Sequence, residues 1–516
     1  MPDRRTTLRA LGLGLLATCG PGGWFRHARA QSITDRSAFS TPLQIPPLDS
    51  GNLADATRHY QLALQRGSRE FLPGIRTATL GINGDYLGPT LLMQRGEQVA
   101  VAVHNQLDEA SSLHWHGFHV PAREDGGPNQ QIESGATWNP SFRVMQNGGT
   151  FWYHSHVLHR AGEQVYRGLA GMILVQDPDQ SELGLPTDYG IDDIPLIVQD
   201  RRFGDDGSFS YMSIYDDIVK GMHGDTLLVN GTWQPLFQPT TRLVRFRLLN
   251  AANARTFLFA FSDNREFYQI ASDGGLLEAA LPMNRLELAP AERAEILVDF
   301  SDGREVLLQS LPMPSGFPVF QGAMSRIMRS LNAQAFDVLR IIPAANLSGN
   351  LLLPNRLVSI ARLSADQQMP VRQFRLSMGF GSRSGDDRGP GTGARTGLGG
   401  GHGGGHSVIN GRRMEIGYIN ETIPLNSTEI WELSNNSPMP HPFHVHHGQF
   451  QVLDRNGQPP PANELGWKDT VRVGSGETVR IVMRFEDFAD ASNPYMYHCH
   501  ILEHEDQGMM GQFLVV

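Results

Sequence analysis

Short runs in which apolar side chains alternate with others recur along the chain. They include Gln98-Val99-Ala100-Val101-Ala102-Val103, Leu243-Val244-Arg245-Phe246-Arg247-Leu248, Ala294-Glu295-Ile296-Leu297-Val298 and Thr478-Val479-Arg480-Ile481-Val482-Met483. Period-two runs rich in β-branched residues, bounded by Gly, Pro, Asn and Asp, predict strands with one buried face. Their spacing predicts an all-β chain of antiparallel sandwiches with short loops rather than βαβ units.

Two of these segments repeat. FWYHSHVLHRAGEQVYRGLAGMILV (Phe151 to Val175) and YMYHCHILEHEDQGMMGQFLVV (Tyr495 to Val516) each run through aromatics, H-x-H, an aliphatic pair and a Gly-containing turn into a closing apolar strand. A looser pair joins Leu113-His114-Trp115-His116-Gly117 to His441-Pro442-Phe443-His444-Val445-His446. The middle of the chain has comparable strands, Ala291 to Phe300 among them, but no H-x-H. Three copies of one sandwich are therefore expected over 40–180, 181–345 and 346–516, with chemistry on the first and third and a spacer between. The segment Gly379 to His406 is too rich in glycine to pack a core and reads as a flexible loop. His402 and His406 within it belong to that loop rather than to a stable metal site.

Composition adds a core and an address. At 516 residues and 40% hydrophobic, the chain can bury a large interior. Arg4-Arg5, an apolar run from Leu11 to Ala17 too short to span a bilayer, and Ala28-Arg29-Ala30 resemble a twin-arginine export signal over residues 1–30. A periplasmic or secreted protein is expected. Thr18 departs from the small residue that a lipoprotein anchor at Cys19 would require. Cleavage after Ala30 would remove five arginines and one aspartate, taking the formal charge from -10 to -14. An acidic chain of this kind offers no electrostatic footprint for nucleic acid, and neither a membrane nor an obligate assembly is expected as a partner. Cleavage also removes Cys19, leaving Cys499 without a disulfide partner, and a lone thiol in an oxidising compartment needs a holder such as a metal.

Side chains at i and i+2 leave a strand on the same face, so H-x-H presents two imidazoles together. Four pairs occur: His114/His116, His154/His156, His444/His446 and His498/His500. One pair alone would be unremarkable for ordinary histidines. Eight imidazoles in matching positions of a repeat exceed the four to six ligands of one transition metal and imply a cluster. Imidazole does not select the metal. Cys499 with His441, His504 and a downstream methionine does, since two imidazoles, a thiolate and a weak thioether make a blue-copper electron-transfer site. Cys499 points away from His498 and His500, so one strand would join that site to the cluster.

HWHG, WYHSH, HPFHVH and HCHILEHEDQGMM make the chain resemble the multicopper oxidases, of the three-domain laccase and copper-efflux-oxidase kind, over essentially its whole mature length. The resemblance implies three cupredoxin-like Greek-key sandwiches and four copper ions. It implies His441, Cys499 and His504 as type 1 ligands with Met509 axial, ten residues past the cysteine, rather than Met510. His114 and His444 would hold type 2 copper, and His116, His154, His156, His446, His498 and His500 the type 3 pair. Glu505 and Asp125 match positions from which relatives donate protons during reduction of O2 to water. His119, His159 and His447 lie off the pattern and read as support rather than ligands. His27, His59, His104 and His223 have no context that singles them out.

The reducing substrate is set by what covers the type 1 site. Copper-efflux oxidases carry a methionine-rich insert where this chain has glycine. Met378 and Met439 stand where thioethers could approach, but Ser437 sits where a carboxylate would be expected for Cu(I). Met313, Met324 and Met328 read as core filler. A laccase-like oxidase of phenolic and small aromatic donors is favoured, with cuprous-ion oxidation second. A non-enzymatic periplasmic assembly protein on the same scaffold comes third, because such relatives lose ligands that this chain keeps.

Overall fold

The period-two pattern is realised directly. In the strand Gln98–Asn105, Val99, Val101 and Val103 are buried while the residues between them reach toward the surface. Inward side chains of this size each contribute about 1.5–3 kcal/mol by leaving water. A computed structural model describes residues 38–313, 331–351, 353–365, 369–379 and 406–516. All of them lie in one compact unit, Ile33–Val516. The expected export signal with Cys19, most of the glycine-rich loop with His402, and Met324 and Met328 fall outside the described residues.

Among the described residues, six sheets close in pairs around the three largest cores. In the first sandwich, Thr57–Leu72, Ile75–Ile82 and Gln98–Asn105 face Thr90–Gln94, His114–His116, Gly149–His154 and Ala170–Gln176 across Leu62, Val101, Trp115 and Tyr153. The middle sandwich sets Asp193–Arg201, Leu243–Asn250 and Arg293–Asp299 against Phe257–Phe261, Val306–Ser310 and Phe336–Ile341. The third sets Val371–Gly379, Thr428–Asn435 and Thr478–Arg484 against His441–Val445, Thr470–Val473, Asp490–Cys499 and Met510–Val515. Its core joins Phe374, Trp431 and Tyr497 to Cys499 and Met509.

Pairing is mixed rather than wholly antiparallel. Thr57–Leu72 runs parallel to Gln98–Asn105, Asp193–Arg201 to Leu243–Asn250, and Val371–Gly379 to Thr428–Asn435. In the first sandwich the chain crosses to the facing sheet at Thr90–Gln94 between the two parallel strands, so a strand supplies the crossover that a helix makes in a βαβ unit.

The repeat is visible in register. His114 pairs with His154 in the first sandwich, and His444 with His498 in the third. The turn after the second H-x-H of each of these sandwiches contains a short helix, Ala161–Arg167 or Leu502–Asp506, which sequence alone did not indicate. Asp506 locks the two sandwiches together by accepting the N–H groups of Ala161 and Gly162, both at 2.9 Å.

Candidate metal centres

At the end of strand Asp490–Cys499, alternation sends the side chain of Cys499 into the third core, where it meets His441 and His504. Nδ1 of His441 lies 3.3 Å from Sγ, and Nδ1 of His504 lies 3.8 Å from it. The far nitrogen of each ring is spoken for. His441 Nε2–H donates to Ser437 Oγ at 2.7 Å, and that hydroxyl donates onward to the Met439 carbonyl at 2.9 Å. His504 Nε2–H donates to the Val219 carbonyl of the middle sandwich at 3.0 Å. Both rings therefore turn an unprotonated Nδ1 toward the sulfur. Met509 is fully buried beside them, its carbonyl accepting the Cys499 N–H at 3.0 Å. Met439 is buried in the same core and Met378 packs against it.

Burial pushes the Cys499 thiol up and holds His504 down at about 4. Neutral imidazoles are the ligating form, and a thiolate in such a place requires a cation. The donor set fits copper.

His498 and His500 leave the same strand on the opposite side and join six more buried imidazoles from both sandwiches. Three groups have ligand atoms within 4.8 Å of one another: His114/His116/His444, His116/His154/His500 and His156/His446/His498. In the last, His498 Nε2 is 3.2 Å from the Nε2 atoms of both His156 and His446. His154 Nε2 is 3.4 Å from His116 Nδ1. Of the remaining three, His500 has both ring nitrogens buried without a hydrogen bond, and His114 and His444 each turn one free nitrogen inward. His114 Nδ1–H donates to the Asp125 carbonyl at 2.8 Å and His444 Nδ1–H to the Asp469 carbonyl at 2.7 Å, leaving both Nε2 atoms buried without a hydrogen bond. Burial and mutual repulsion keep these rings well below their ordinary pKa. Lone pairs gathered this closely without protons suit metal ions, and imidazole suits copper. Trp152 stacks on His154 with ring centroids 4.1 Å apart, walling one side.

The two carboxylates singled out in the sequence both reach this cluster. Asp125 Oδ2 accepts His446 Nδ1–H at 2.7 Å, and burial pushes its carboxyl well up. Glu505 sets its oxygens 3.3 Å from His156 Nδ1 and 3.2 Å from His498 Nδ1. Burial pushes Glu505 up, but these two histidines outweigh it and hold the group below the usual carboxylate range.

The off-pattern histidines stay outside the cluster. His159 is exposed and donates to the Asp506 carbonyl at 2.8 Å, while His119 and His447 pack on each other at 4.8 Å.

The middle sandwich is not the spacer expected from its lack of H-x-H. It covers the thiolate group with Val219 and ties down the helix that carries His504 through Glu503, which accepts from Asn253 Nδ2 at 2.8 Å and the Met222 N–H at 2.9 Å. Burial pushes Glu503 up to about 7. It also reaches the histidine cluster through Arg293 and Asp469. Of these residues only Glu503 stands in a motif, and the contacts that cross between sandwiches join residues 176 to 285 positions apart, so local pattern carries no sign of them.

Two family models, each described as multicopper oxidase, match residues 63–180 and 393–516. The chain is 33% identical to "Multicopper oxidase mco" of Staphylococcus haemolyticus, over 89% of this chain and 88% of that protein. It is equally 33% identical to "Cell division protein FtsP" of Escherichia coli K12, over 99% and 98% respectively. Among solved structures it resembles a laccase from Pediococcus acidilactici, with TM-score 0.79 and 35% identity over 92% of this chain and 93% of that one. It resembles a laccase-like multicopper oxidase CueO from Ochrobactrum sp. with TM-score 0.79 and 35% identity, over 92% and 100%.

Proposed function

Because the chain belongs to the multicopper oxidase family, a family of copper-binding oxidoreductases, we propose that it is a laccase-like oxidase that couples one-electron oxidation of phenolic and small aromatic donors to reduction of O2 to water. The observation that carries this reading is the end of the strand Asp490–Cys499, where Cys499 turns toward one complete donor set while His498 before it and His500 after it turn toward another. His441, Cys499, His504 and Met509 would hold type 1 copper. His114 and His444, with their free Nε2 atoms, would hold type 2 copper. The groups His116/His154/His500 and His156/His446/His498 would each hold one type 3 ion.

Bound copper supplies the redox chemistry, taking single electrons from the donor and delivering four to O2. The protein supplies the path, the protons and the dry setting. The covalent route through Cys499 and its two neighbours links the sites without a solvent gap. Glu505, held ionised between His156 and His498, can pick up a proton and pass it inward. Asp125, disfavoured as an anion, is suited to keeping one beside His446. Complete burial of the eight cluster histidines keeps bulk water away from partly reduced oxygen.

Ser437, a neutral hydroxyl on the far side of His441, supports organic donors over Cu(I), which a carboxylate would attract. Met378 and Met439, packed in the core that holds Cys499, are what favours cuprous-ion oxidation as the second reading. A scaffold role in cell division, raised by the name of the FtsP relatives, would need none of these buried donor atoms. The N-terminal residues 1–30 would direct export through the twin-arginine pathway, and the sandwiches would span 40–180, 181–345 and 346–516. Copper analysis with electron paramagnetic resonance tests the assignment. Four ions per chain with one blue and one ordinary cupric signal are expected, and one ion or none would overturn it.

A further inference from the structure

Arg293 opens the strand Arg293–Asp299 of the middle sandwich and is completely buried where the three sandwiches meet. Every N–H of its guanidinium is used. Nε donates to the Thr150 carbonyl of the first sandwich at 3.0 Å. Nη1 donates to the Ala291 carbonyl at 3.2 Å and Nη2 to the Asp273 carbonyl at 2.9 Å, both in its own sandwich. The remaining two N–H groups grip both carboxylate oxygens of Asp469 in the third sandwich, at 2.7 and 2.6 Å. Lys468 next to it is likewise paired across the boundary, with Asp273 at 2.8 Å and Glu292 at 3.2 Å.

Asp469 in turn touches two histidines of the cluster through different atoms. Its Oδ1 accepts His116 Nε2–H at 3.1 Å, helped by Thr470 Oγ1 at 3.2 Å, and its carbonyl accepts His444 Nδ1–H at 2.7 Å. One residue thus fixes opposite tautomers on the two rings, turning Nδ1 of His116 and Nε2 of His444 into the cluster. The glycine of HWHG has its explanation here. A Cβ on Gly117, at φ +85°, would stand 2.4 Å from Asp469 Oδ2 and 2.9 Å from Arg293 Nη2, so its missing side chain is the room the pair occupies.

We infer that Arg293 is a positioning residue of the trinuclear copper site, acting through Asp469 to orient His116 and His444, so that the sandwich without H-x-H completes the centre held by the other two. This rests on the assignment of the histidine cluster to copper. A planar fork spanning a carboxylate and three carbonyls cannot be replaced by a point charge. Partners that orient ligating histidines typically change metal affinity or activity about 10- to 100-fold when removed.

The test is R293K in the copper-loaded full chain, read by copper per chain, the blue thiolate band, the ordinary cupric resonance and the near-ultraviolet band of the paired ions. The expected result is a blue band of wild-type intensity with the cluster signals weakened and cluster copper lost to chelator about 10- to 100-fold more readily. Cluster signals equal to wild type would overturn the inference, even with a lowered unfolding temperature, because the pair would then serve packing alone. A blue band falling in step with the cluster would overturn it too. If R293K does not yield folded protein, D469N preserves the side-chain shape and is judged by the same readouts. Absence of cluster signals in the wild-type protein would instead defeat the copper assignment beneath it.

Discussion

His441 Nδ1 lies 3.3 Å from Cys499 Sγ while its other nitrogen is fixed on Ser437 Oγ at 2.7 Å, so one ring is held between a thiolate position and a neutral hydroxyl. Replacing the sulfur removes the thiolate of the group and leaves only the weak thioether of Met509 as a soft donor. Cys499→Ser is expected to abolish the blue absorption and turnover together, while copper at the histidine cluster persists. Optical spectra and copper analysis of the purified variant check this, and retained colour would refute the ligand assignment.

The hydroxyl end of the same ring is a tuning point. Ser437→Asp would place an anion on His441 Nε2–H, make the ring a stronger donor and favour the cupric state. The reduction potential of the blue site should fall, by about 59 mV for each tenfold gain in that preference. Redox titration reads the shift, and an unchanged potential would mean that Ser437 does not act through His441.

Proton delivery separates from colour. Glu505→Gln keeps the shape beside His156 and His498 but cannot ionise, and Asp125→Asn does the same beside His446. Each should slow O2 reduction by about 10²- to 10⁴-fold, the usual range for a positioned acid or base, with the blue band intact. Stopped-flow reoxidation of reduced protein measures it.

The metal-free protein should lose stability in acid. His154 is held down at about 3, and His156 and His504 at about 4, all first by burial, against an ordinary 6.5. A group whose pKa is depressed in the folded state favours folding fully above its unfolded pKa and loses that contribution as pH falls. Between about pH 6.5 and 4, each of these rings should cost about 1.4 kcal/mol per pH unit. Thermal melts of apoprotein at pH 7 and pH 5 should therefore diverge, and copper-loaded protein should diverge less because bound metal competes with protons.

Much of this is legible in the sequence because it is local. Alternation in Gln98–Asn105 and Thr478–Arg484 reports a buried face within a few residues, and H-C-H reports two faces of one strand within three. The parallel pairings were not legible, since they depend on where the chain crosses to the facing sheet. Nor were Arg293, Asp469 and Val219. Lys468-Asp469 before an apolar strand has the look of a solvated edge, and only packing of the middle sandwich against it turns the pair into a buried support for His116 and His444. A charge buried by a distant segment leaves no periodic trace in its own neighbourhood.

The central claim is most directly tested by oxygen uptake of the copper-loaded protein with 2,6-dimethoxyphenol, set beside uptake with Cu(I). Rapid phenol turnover is predicted, with one O2 consumed for every four electrons withdrawn and no hydrogen peroxide released. Negligible phenol turnover beside fast Cu(I) oxidation would contradict the proposed donor, and no uptake with either would contradict the oxidase itself.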